Sequence, residues 1–146
     1  MEKTLNFRFF RLAILALLAT AVSAGLLSAE DYVGKFTLPF QAKWGRATLP
    51  AGDYEFQLNT ARSPYTVTVR GQDKAAMIMS EGTSTKDASD RSELVVVRRG
   101  RTGTIRALHL NEVGQTFFYV PPKGERQLLA QAPELIQRIP ILVSGK

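Results

Sequence analysis

The chain has 146 residues, of which 45% are hydrophobic and 22% charged, and a formal net charge of +6. That length builds one domain with a modest core and little more. The absence of cysteine excludes disulfides, thiolate metal sites, thiol nucleophiles and redox pairs. Setting aside the first 29 residues leaves a charge of +4, an ordinary value that gives no reason to expect nucleic acid.

Those 29 residues have the order of a secretory leader. Lys3, Arg8 and Arg11 precede the apolar run Leu12–Ala19, and small residues follow at Ala21, Ser23, Ala24, Ser28 and Ala29. Cleavage is expected after Ala29, just before the acidic pair Glu30 and Asp31, with Ala24 as the other acceptable position. The rival reading is an uncleaved anchor, the only route by which the chain would meet a membrane. A spanning helix needs about 20 predominantly apolar residues. The run reaches that length only by including Thr20, Ser23, Gly25 and Ser28. The expected organisation is a leader over 1–29, a β domain over 30–122 and an amphipathic tail over 123–146.

Period-two alternation dominates the middle of the chain. Over Lys35–Trp44, the residues Phe36, Leu38, Phe40, Ala42 and Trp44 share one face, which predicts one strand with a buried side. Pro39 cannot donate to a ladder and is expected at an edge or a bulge. Leu49-Pro50-Ala51-Gly52 is a turn signal. Strands are then expected around Tyr54–Leu58, Tyr65–Arg70, Ala75–Met79, Glu93–Arg98, Thr104–Leu110 and Thr116–Val120. Ala75–Met79 lacks clean alternation, and Ser80–Ser92 reads as a polar loop. Seven short strands joined by short turns predict a single all-β domain, an antiparallel β-sandwich or barrel.

From Glu125 the pattern changes. Leu128, Ala132, Leu135, Ile136 and Ile139 fall on a helical stripe that Pro133 should bend or divide, ahead of an extended end over Ile139–Val143. The tail is expected to pack on the β domain as a helix; the sharper alternative is docking on a protein partner.

No catalytic set stands out. The one histidine, His109, alternates with apolar neighbours and reads as a hydrogen-bonded sheet residue. Asp87, Asp90 and Glu93 could face a calcium ion, but their spacing is not that of a calcium loop, and Lys86 and Arg91 intervene. Asp53 and Glu55 lie on an outward face with nothing to favour them as a glycosidase pair. No phosphate loop, metal cluster or dinucleotide fingerprint is present, so no cofactor is expected. Two groups remain as contact candidates. Arg98, Arg99, Arg101 and Arg106 surround one turn and could hold an anionic envelope polymer. Trp44, Phe117, Phe118 and Tyr119 could meet a ligand or partner; adjacent aromatics must point to opposite faces, so at least one leaves the core side.

The segment Lys35–Tyr54, with its Phe-x-Leu-Pro-Phe strand, Trp44-Gly45 step and Leu-Pro-Ala-Gly-x-Tyr turn, resembles a group of small exported bacterial proteins, mostly acidobacterial. The group has no assigned activity, so the resemblance implies no catalytic residues. It implies a two-membrane cell and a periplasmic or extracellular address. The expected function is a non-enzymatic exported β domain that binds or scaffolds in the envelope. A barrel holding a small apolar ligand is the first alternative, and a carboxylate-dependent hydrolase the second.

Overall fold

The computed structural model describes residues 31–85, 90–121, 124 and 134–145. The leader, Asp87 and the helical stripe at Leu128 and Ala132 lie outside the described residues. Among those described, the regular elements are twelve strands in two sheets. They are β1 (Asp31–Leu38), β2 (Gln41–Trp44), β3 (Ala47–Leu49), β4 (Gly52–Asn59), β5 (Thr66–Arg70), β6 (Ala75–Met79), β7 (Gly82–Ser84), β8 (Glu93–Arg99), β9 (Thr102–Leu110), β10 (Gln115–Phe118), β11 (Leu135–Pro140) and β12 (Leu142–Gly145). The first sheet runs β12-β1-β4-β5-β6. The second runs β11-β8-β9-β10-β7, with β2 also on β9 and β3 on β2.

The expected single strand over Lys35–Trp44 is two strands in different sheets. β1 belongs to the first sheet, and the chain turns a corner at Pro39 and Phe40 before β2 joins the second. Proline at the corner gives up a ladder donor where no ladder exists. Alternation survives because both sheets turn their inner faces to one core: Phe36, Leu38, Phe40, Ala42 and Trp44 are all buried. Ring contacts knit the sheets together. Phe36 meets Trp44 edge-on at 5.9 Å and stacks on Tyr54 at 5.5 Å, while Tyr65 meets Phe117 edge-on at 5.5 Å.

The expectation of purely antiparallel pairing needs one correction. β2 runs parallel to β9, from Gln41 opposite Thr102 to Trp44 opposite Ile105. No hairpin dictates its direction, because it arrives over the corner from the other sheet. β9 then changes neighbour: β10 pairs antiparallel with its second half, from Ala107 to Leu110. The handover coincides with a register shift opposite Val95 and Val96, which leaves Arg106 as the extra residue of a bulge. The Tyr119 amide donates to the Arg106 carbonyl at 2.9 Å there.

The C-terminal expectation is also corrected. Leu135, Ile136 and Ile139 are in β11, not on a helix, and pair with Arg98, Val97 and Leu94 of β8. A helix here would leave the edge of β8 without backbone partners. Pro140 ends β11, the Ile141 amide donates to the Ser92 carbonyl at 3.0 Å, and β12 continues on the edge of β1. One segment therefore edges both sheets, with Ile139 and Ile141 buried in the core and Leu135 and Ile136 exposed.

Two glycines have a structural reason. Gly52 follows Pro50 at φ 149°, where a Cβ is strained, and the Tyr54 hydroxyl fixes the turn by donating to the Pro50 carbonyl at 2.8 Å. A Cβ on Gly34 would lie 2.5 Å from a ring carbon of Phe56 and 2.9 Å from the Leu142 carbonyl oxygen. Gly34→Ala should therefore push β4 and β12 off β1 and cost about 1–3 kcal/mol. Thermal unfolding tests this, and an unchanged melting temperature would show that the sheet absorbs the methyl group.

Candidate functional site

The aromatic candidates divide. Trp44, Phe117 and Tyr119 are core residues, and Phe118 alone is half-exposed, at 38%. Two of the four arginines have partners of their own. Arg98 lies over the Phe40 ring at 4.8 Å and donates from Nε to the Gly100 carbonyl. Arg99 pairs with Glu134 at 2.8 Å. Arg106 occupies the bulge, and Arg101 is exposed in the turn.

The polar residues nearest to a catalytic arrangement are structural. His109 and Thr116 sit opposite each other on β9 and β10, with Nδ1 and Oγ1 2.8 Å apart, and both are buried. Glu93 lies opposite His109 on β8 but is engaged by Arg138. Ser92 donates to Glu112 at 2.5 Å and accepts from the Asn111 amide at 2.9 Å, which pins the β9–β10 turn to the start of β8. A nucleophile and base sealed in a sheet lack the access that hydrolysis needs. Asp53 accepts from Thr37 at 2.6 Å on the outer face of the first sheet. No cluster of metal-ligating side chains occurs among the described residues.

Two clefts are large enough for a ligand. One, of about 730 Å³, spreads over the outer face of the first sheet, where Lys35, Glu55 and Arg70 form a row across β1, β4 and β5 and Leu142 flanks it. It is a shallow surface that mixes this charged row with the apolar groups of Phe36, Tyr54, Ile139 and Leu142. The other, of about 660 Å³, lies at the corner where β6 passes over the β2–β3 turn and the chain leaving β10. Met77, Ile78 and Met79 form one wall, Gly45, Arg46 and Ala47 the second, and Tyr119, Val120 and Pro121 the third, with Glu81 at the rim.

The corner groove mixes apolar side chains with Arg46 and Glu81 and has a buried polar group in its wall. Tyr119 lines it, yet its hydroxyl is buried without a hydrogen-bond partner among the described residues. Burial raises the pKa of that phenol far above its ordinary value, so it stays a neutral donor. The indole Nε1 of Trp44, whose ring meets Tyr119 edge-on at 5.3 Å, is likewise buried and has no partner among the described residues. Groups of this kind cost about 1–3 kcal/mol each when left unsatisfied. Met77 and Met79 are 69% and 60% exposed beside them, soft side chains suited to an adaptable contact. Their signal in the sequence is the missing alternation of Ala75–Met79: apolar residues on both faces of an edge strand.

Comparison of the chain with protein-family models, with curated proteins and with solved structures found no match.

Proposed function

We propose that this chain is an exported, non-enzymatic binding domain of a bacterial envelope, a small β-sandwich that binds through the groove beneath β6. The leader pattern and the resemblance of Lys35–Tyr54 to small exported proteins support the address. One observation carries the binding role: a groove of about 660 Å³ beneath the exposed Met77 and Met79 has in its wall Tyr119, whose buried hydroxyl has no partner among the described residues. The alternative of a ligand enclosed in a barrel is weaker, because Trp44, Phe36, Phe56 and Phe117 fill the space between the sheets. Sealing of His109 and Thr116 within the sheet weighs against a hydrolase that would use His109 as its base.

The one tryptophan supplies the test. An apolar probe such as N-phenyl-1-naphthylamine should enter the groove and quench Trp44 emission through the Tyr119 contact, saturating at one probe per chain. Replacing Met77 and Met79 together by glutamate charges the wall without touching the core, and should weaken uptake at least about tenfold. Equal uptake by both proteins would remove the groove from consideration.

A further inference from the structure

The edge of β6 beside the groove identifies the chemistry of the partner. Backbone bonds at both ends of the β5–β6 ladder fix its phase. The Gly71 amide donates to the Lys74 carbonyl at 2.7 Å, and the Ser80 amide donates to the Tyr65 carbonyl at 2.8 Å. In an antiparallel ladder bonded pairs recur every second residue, so Ala76 and Ile78 spend their backbone groups on β5. The amides and carbonyls of Ala75, Met77 and Met79 then point the other way, to the sheet edge, where β6 has no hydrogen-bonded neighbour among the described residues.

That edge has little protection within the strand itself, although Lys74 just before it donates to the Thr48 carbonyl of β3 at 3.2 Å. Natural edge strands carry a charge, a proline or a bulge. Ala75–Met79 has none of these, its register with β5 is regular, and its side chains are alanine, methionine and isoleucine.

We infer that the β6 edge and the groove form one binding site for an extended peptide segment of a partner protein, which adds to the first sheet as a further strand. This rests on the binding role proposed above and names the ligand class. A strand supplies alternating donors and acceptors that match Ala75, Met77 and Met79, which a small amphiphile does not. Every second side chain of the added strand turns inward, over Ile78 and toward Tyr119. A second copy of this chain fits less well. Pairing of β6 with itself satisfies the edge, but its inward residue Ile78 is already buried in its own core and cannot fill the groove.

The experiment is residue-resolved amide exchange by NMR, with the probe acetyl-Lys-Thr-Val-Thr-Leu-Thr-Val-Lys-amide at up to millimolar concentration. In the free protein the Ala75, Met77 and Met79 amides should exchange fast and those of Ala76 and Ile78 slowly. The peptide should slow the first three at least about tenfold. Met77→Pro removes one donor from the open edge only, which an edge strand tolerates. It should keep the melting temperature within a few degrees and weaken peptide binding at least about tenfold. The same peptide N-methylated on alternate residues should not bind. Several results would overturn the inference: no protection at millimolar peptide, protection elsewhere than at these three amides, or unchanged binding by Met77→Pro. Protection without peptide in a dimer would assign the edge to a second copy. Saturable uptake of the naphthylamine probe alongside any of these would leave the groove as a small-molecule site; failure of both would remove the binding role itself.

Discussion

A chain ending at Glu134 is expected to lose cooperative unfolding altogether. Residues 135–145 edge both sheets, β11 on β8 and β12 on β1. Their removal takes Ile139 and Ile141 out of the core. Two buried isoleucines represent about 3–6 kcal/mol of burial, a large share of the roughly 5–15 kcal/mol that holds a small domain together. It also strips the backbone partners from β8 and uncovers the other edge of the first sheet, which invites aggregation. Urea titration followed by circular dichroism reports the outcome. A sigmoidal transition in the truncated chain close to that of the intact one would show the segment to be an appendage.

The second large effect is expected at Trp44. Its side chain has no exposed surface, touches Phe36 and Tyr119 edge-on, and sits where β2 joins β9 at the shared core. Trp44→Ala leaves a cavity lined by residues of both sheets and should cost about 3–5 kcal/mol. Leu142→Ala, at a side chain that is 76% exposed, should stay within about 0.5 kcal/mol. Equal losses for the two variants, measured by urea denaturation, would contradict the placement of the core.

Much of this architecture was legible in the sequence, and the exceptions have physical causes. Tyr54, Phe56, Leu58, Val67 and Val69 alternate as inward residues of β4 and β5, as their spacing predicts. Lys35–Trp44 also alternates as predicted, yet period two reports only which face is buried and says nothing about which sheet a strand joins. The corner at Pro39 was therefore invisible except as a proline out of place. The parallel pairing of β2 with β9 and the Arg106 bulge depend on tertiary neighbours and leave no local mark. Leu135, Ile136 and Ile139 fit a helical stripe as well as a short strand, and the open edge of β8 decided between them.

The candidate site was less legible. The arginine cluster was prominent in the sequence, but Arg98 and Arg99 serve Phe40 and Glu134 separately. Of the four aromatics singled out, Tyr119 lines the groove, through a strand end and not through an exposed face. The methionines of β6 were readable only as broken alternation, because a strand edge has no sequence pattern of its own.

The most direct test of the account is native mass spectrometry of the protein recovered from its own cell, beside the Met77→Glu and Met79→Glu double variant. The account predicts a chain that begins at Glu30 or Gly25, carrying a bound species that the variant lacks. A chain that keeps its first 29 residues, or a wild type and variant with the same bound species, would contradict it.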